Sequence, residues 1–156
     1  RGTQEMKTND VTGRFRRGMA GIGVELGRPG VGTTFKDLQT VSMALAGVGV
    51  EFEPNNPVSA LMVDKKTGKI NEEVLNETVL SAIIECKVEI ARLKEVLETL
   101  KGVAPKIETV FSLDLISRVS ADGTIPTVAI ACEAGFSPRP NTKTNVGLGR
   151  PLKEEA

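Results

Sequence analysis

The chain has no histidine, no tryptophan and no tyrosine among its 156 residues, and only five phenylalanines. Without histidine it lacks the commonest general base, the usual metal ligand and the side chain that titrates near neutral pH. Serine–histidine and cysteine–histidine catalysis are therefore excluded. Its two cysteines, Cys86 and Cys132, are too few for a structural zinc site within one chain and form no C-x-x-C motif. Charge of one sign is not in excess either, with Lys plus Arg and Asp plus Glu at 20 each. No global field then draws the chain to nucleic acid or to an anionic membrane. No apolar run approaches the ~20 residues that span a bilayer, and no signal-peptide core opens the chain. The expectation is a soluble protein, intracellular or particle-bound, with no cofactor and no metal. Arg1 in first place suggests a chain that is trimmed or part of a longer product.

What is abundant is glycine, at 16 residues. Residues 1–20 are polar, with a basic cluster of Arg14, Arg16 and Arg17 around Phe15, and read as an arm. Residues 21–34 hold Gly21, Gly23, Gly27, Gly30 and Gly32. Within them, Gly27-Arg28-Pro29-Gly30-Val31-Gly32-Thr33-Thr34 resembles the phosphate-binding loop of P-loop nucleotidases, G-x-x-x-x-G-K-[ST]. The glycines Gly27 and Gly32 and the hydroxyl of Thr34 match, and Thr33 stands where the lysine should be. The context fits as well: an apolar stretch precedes and a helical pattern follows, and Ala60 to Asp64 could serve as the strand ending in a metal-binding acid. Against it, the missing lysine removes the fixed charge facing a polyphosphate. Lys36 falls inside the expected helix, and the rest of the chain leaves no room for a five-stranded parallel sheet.

Residues 33–46 predict a short helix capped by Thr33 or Thr34, with Asp37 in its first turn and Gly47 after it. Val48, Val50 and Phe52 alternate with Gly49, Glu51 and Glu53, which predicts a strand with its two carboxylates in solvent. Two carboxylates so spaced could bind a cation or act as acid and base; a solvated strand face is the simpler reading. Asn55-Asn56-Pro57 reads as a turn, Val58 to Val63 as a second strand, and Asp64 to Gly68 as another turn.

The longest regular pattern runs from Asn71 to Lys101. Val79, Ile83, Cys86, Ile90, Leu93, Leu97 and Leu100 recur at alternating spacings of four and three, the a/d pattern of a coiled-coil seam. Asn71 is a good N-cap with Glu72 and Glu73 behind it, and Gly102 and Pro105 mark an end. Leu80, Ile84 and Val88 form a second apolar stripe that an isolated pair of helices would leave wet, so something must cover it. If the seam joins chains, Leu93→Asp with Leu97→Asp dissociates them. Phe111, Leu113 and Leu115 alternate, Asp122-Gly123 is a turn signal, and Thr124 to Cys132 alternates again, which together predict a β-hairpin. From residue 134 the chain is rich in Pro, Gly, Asn and Lys and reads as a second arm.

The expected fold is therefore α+β: a long central coiled-coil-like helix, small β elements on either side and extended arms at both ends. The divisions are an arm at 1–20, a glycine-rich loop, short helix and strand unit at 21–70, an oligomerising helix at 71–102, a hairpin at 103–133 and a tail at 134–156. Over residues 71–140 the arrangement is similar, without a shared motif, to the multimerisation region of paramyxovirus phosphoproteins. The expected function is a non-enzymatic oligomerisation and assembly protein, a virion or phage-particle component. It would associate with itself through the helix and with other subunits through its arms, and with neither membrane nor nucleic acid. The alternative is a nucleotide-binding protein with a degenerate loop at Gly27, Gly30, Gly32, Thr33 and Thr34.

Overall fold

Ile84, Cys86 and Val88 are β-branched or small, sit two apart, and are interleaved with Ile83, Glu85 and Lys87. That is a strand pattern, and in the computed structural model, which describes residues 13–28 and 30–140, it forms a strand. In chain order the elements are β1 (Met19–Leu26), β2 (Thr33–Thr34), α1 (Phe35–Gly47), β3 (Glu51–Phe52), α2 (Pro57–Ala60), β4 (Met62–Asp64), β5 (Lys69–Ile70), β6 (Thr78–Val79), β7 (Ala82–Glu89), α3 (Leu93–Val103), β8 (Phe111–Ile116) and α4 (Pro126–Glu133). The main sheet is antiparallel with strand order β3-β7-β1-β8; β2–β6 and β4–β5 make two small pairs.

The long central helix does not form. Its span divides into a turn of 3-10 helix at Glu72–Val74, β6, β7, a second 3-10 turn at Ile90–Arg92 and α3. The division at Ile90 has a physical reason. Before it the residues are β-branched and pair with β1; after it Leu93, Val96, Leu97, Leu100 and Val103 recur at helical spacing and all are buried. The second stripe expected of a helix is a period-two pattern in part: Ile84 and Val88 share one buried face of β7, whereas Leu80 lies outside the strand and is exposed.

β1 is the central strand. Ala20, Ile22, Val24 and Leu26 are fully buried against the helices, in register with Val88, Cys86, Ile84 and Ala82. Its other face carries Gly21, Gly23 and Glu25. Phe15 lies over Gly21, where a Cβ would stand 2.6 Å from the ring. The basic cluster is thus part of the fold from Arg14 onward, with Arg14 paired to Glu53 and the Arg17 guanidinium donating to the Val119 carbonyl.

α1 matches its expectation, with Thr34 as N-cap accepting from the Asp37 amide. Other expectations are corrected. The expected strand over residues 48–53 shrinks to β3. Val58 to Val63 begins as the helical turn α2, because Asn56 accepts from the Val58 and Ser59 amides and Pro57 sits at the first helical position. The Asn56 amide also donates to the Ile83 carbonyl and to Glu85, tying α2 to β7. No hairpin crosses Gly123. β8 pairs with β1 instead, and Pro126 opens the helix α4 where a strand was expected. Residues 1–12 and 141–156, most of the two arms, lie outside the described residues, as does Pro29 of the glycine loop. No helix among the described residues is long and apolar enough to cross a membrane.

Candidate interaction surface

β1 leaves the sheet at Leu26 and turns on Gly27, whose φ of 78° is open to glycine at little cost. The Gly27 amide donates to the Val110 carbonyl at 2.8 Å, and its carbonyl accepts from Val31 and Gly32. A Cβ at Gly27 would lie 2.9 Å from the Leu80 carbonyl oxygen. Thr109 donates to the Gly32 carbonyl at 2.6 Å, and Thr33 pairs with Val79. Backbone hydrogen bonds and close packing thus bring residues 27–28, 30–33, 79–80 and 109–110 together at one end of the main sheet. Three apolar side chains there face solvent: Val31 is 61% exposed, Leu80 91% and Val110 46%. Fully covering such a side chain is worth about 1.5–3 kcal/mol.

The same loop contains the phosphate-loop match, and the amides of Gly27, Val31 and Gly32 are already engaged within the fold. In the first turn of α1 the amides of Phe35 and Lys36 donate to the carbonyls of Glu77 and Leu75, and Asp37 donates to Thr34. Thr33 is buried and paired in β2. Arg28, the cation of the loop, is held by Glu25 at 2.8 Å, and Glu25 also accepts from Ser112.

The residues of the expected seam share no common face. Val79 is half-buried in β6, Ile83 and Cys86 are buried in β7, and Ile90 is half-buried in a 3-10 turn. Leu93, Leu97 and Leu100 are fully buried on α3 against the protein's own core. They hold one chain together.

A cleft of about 220 Å³ opens beside β3, lined by Arg14, Phe15, Phe52, Glu53, Cys86 and Lys87. Its charges are paired: Arg14 with Glu53 at 2.9 Å and Lys87 with Glu51 at 3.0 Å. Glu51 and Glu53, two apart on the chain, are thereby neutralised by different cations. Among the described residues no group of three or more carboxylates or thiols could hold a metal ion. Burial, with a lesser contribution from Glu85, pushes the Cys86 thiol up to about 12, so it is no nucleophile at neutral pH. Cys132 is exposed. A thiol reagent should therefore label one cysteine per native chain and both after denaturation; two rapid labels in the native state would contradict this burial. Because the unfolded thiol ionises near 9 and the folded one only near 12, the contribution of Cys86 to stability is intact below 9 and lost as pH rises to about 12. Cys86→Ala should flatten the alkaline limb of the pH–stability curve.

Comparison of the chain with protein-family models, curated proteins and solved structures finds no match in any of the three.

Sequence reasoning missed this surface. Leu80 counted as a residue to be covered, and Val31 as part of a phosphate loop. Its one available signal was Leu80 just before an alternating, β-branched run.

Proposed function

We propose that the chain is a non-enzymatic interaction domain, a subunit of a larger protein assembly that engages a partner through the end bearing Val31, Leu80 and Val110. The observation that carries this reading is Leu80, 91% exposed between two strands rather than on a loose end. A leucine fixed in solvent gains stabilisation only when another surface covers it.

The rival reading, nucleotide binding at Gly27 to Thr34, has the strand–loop–helix order of β1 and α1 in its favour. Against it stand the engaged amides of the first helical turn and the absent lysine. The two separate by experiment. A photo-cross-linking side chain at position 80, in the protein expressed in its source cell, should trap a defined second protein. The same group at Lys66, on the exposed β4–β5 turn, should trap none. Leu80→Asp should leave the melting temperature within a degree or two while abolishing the product trapped from a cross-linker at Val31. Silence from position 80, with a melting temperature raised by ATP and Mg²⁺, would sink the interaction reading.

A further inference from the structure

The cleft beside β3 lies away from the end that bears Leu80. Glu51 and Phe52 pair with Lys87 and Cys86, which in turn stand opposite Gly21 and Ile22, in the other half of β1 from Leu26. Two aromatic rings line it, Phe15 from the segment before β1 and Phe52 from β3, with Pro54 beside them. Its polar groups are unequally engaged. Glu53 is used at both oxygens: Oε2 lies 2.9 Å from Arg14 Nε, and Oε1 accepts from the Asn55 amide at 3.2 Å. Glu51 is paired with Lys87 and its side chain is 69% exposed, so its charge is largely solvated. Arg14 is different. Its side chain is only 23% exposed, and among the described residues its guanidinium meets Glu53 alone, closest at Nε. Among those residues Nη1 and Nη2 donate no hydrogen bond. The end of a partly buried fork that fits a carboxylate is therefore open.

Volume sets the size of what could fill the space. A cavity of about 150 Å³ holds benzene, so one of about 220 Å³ holds about nine or ten non-hydrogen atoms. We propose that the cleft binds a small monocarboxylate with an aromatic or branched apolar body. Its carboxylate meets the Nη1–Nη2 edge of Arg14, with Lys87 as the second cation of the site, and its body lies against Phe15, Phe52 and Pro54. An apolar wall with a few convergent polar groups is the usual form of a small-molecule site. Charge separates this ligand from its rivals. A cation would find only Glu51, already met by Lys87 and by water. A neutral molecule of the same shape would leave the fork unused and lose a pair of charge-assisted hydrogen bonds. Two positive and two negative side chains line the cleft, so the site as a whole does not repel a single anion. The site is independent of the partner-binding reading and would stand if Leu80 met nothing.

The test is an NMR titration of the full chain at neutral pH with phenylacetate, the isosteric neutral phenylacetamide, and the cation phenethylamine. Phenylacetate should shift the amides of Phe15, Phe52, Glu53 and Lys87 saturably and bind about tenfold tighter than phenylacetamide, with phenethylamine weaker than either. Arg14→Lys keeps a cation for Glu53 and removes the fork. It should weaken phenylacetate about tenfold and leave phenylacetamide unchanged, a difference that loss of the cleft's shape would not produce. Lys87→Gln, at the rim, is the second variant should Arg14→Lys disturb the fold; it should weaken phenylacetate about threefold and spare the amide. Equal binding of acid and amide, tightest binding of phenethylamine, or no saturable shift with phenylacetate overturns the proposal. Full phenylacetate binding by both variants also overturns it.

Discussion

Gly68→Ala should lower stability by about 3 kcal/mol or more, from left-handed backbone strain plus steric overlap. Gly68 closes the β4–β5 turn with φ at 71°, and an added Cβ would overlap the Ser42 carbonyl and stand 2.9 Å from the Met43 amide. Neither neighbour can retreat, since both belong to the backbone of α1. The site is also a junction: the buried Ser42 hydroxyl donates to the Gly68 carbonyl at 2.6 Å, fastening the small hairpin to the helix. Gly123→Ala is the matching control. Its φ is 82°, yet nothing lies within 4 Å of the new Cβ, so it bears only the strain, about 1–2 kcal/mol. Urea unfolding of both variants reads the difference. Equal losses would mean that α1 does not press on Gly68.

The second large effect is at α3. Leu93→Asp with Leu97→Asp should unfold the chain, where the coiled-coil reading of the sequence would have it separate folded chains. Both leucines are fully buried in the core with Val96, Leu100, Leu38 and Ile84. Even Leu97→Ala should cost about 2–5 kcal/mol. Two buried, unpaired carboxylates add far more, enough to exceed the roughly 5–15 kcal/mol that holds an ordinary domain. Circular dichroism and size exclusion decide between the outcomes: lost ellipticity and an expanded elution support burial, and a folded particle of reduced mass refutes it. Glu98→Ala, on the solvent side of the same helix, should be close to neutral.

Local chemistry was legible where one element decides its own fate. Thr34 and Asp37 cap α1, Asp64 to Gly68 turns, and Phe111, Leu113 and Leu115 alternate as β8. Asn71 does accept from the Glu73 amide, but it caps a single 3-10 turn instead of a long helix. The larger error came from Val79 to Leu100. Ile83 and Cys86 lie on opposite faces of β7, but because both faces are buried their apolar spacing mimics a heptad, and only the β-branched residues among 82–89 separate the two readings. Gly21 and Gly23 concealed β1, because glycine reads as loop unless a distant side chain such as Phe15 covers it. The sheet itself was out of reach, since the partners of β1 lie far along the chain and no local pattern pairs them. The candidate surface was illegible for the same reason: Val31, Leu80 and Val110 meet only after residues 27, 80 and 110 have been brought together.

The central place of β1 sets an order of events during synthesis. Among the described strands it leaves the ribosome first, yet its partners in the sheet, residues 82–89 and then residues 111–116, emerge only later. Over that interval an apolar strand waits unpaired, and closing such distant contacts is slow. Its alternating Gly21 and Gly23 then protect the nascent chain, because a strand with two glycines in its eight residues is a poorer seed for pairing with its neighbours on the same message.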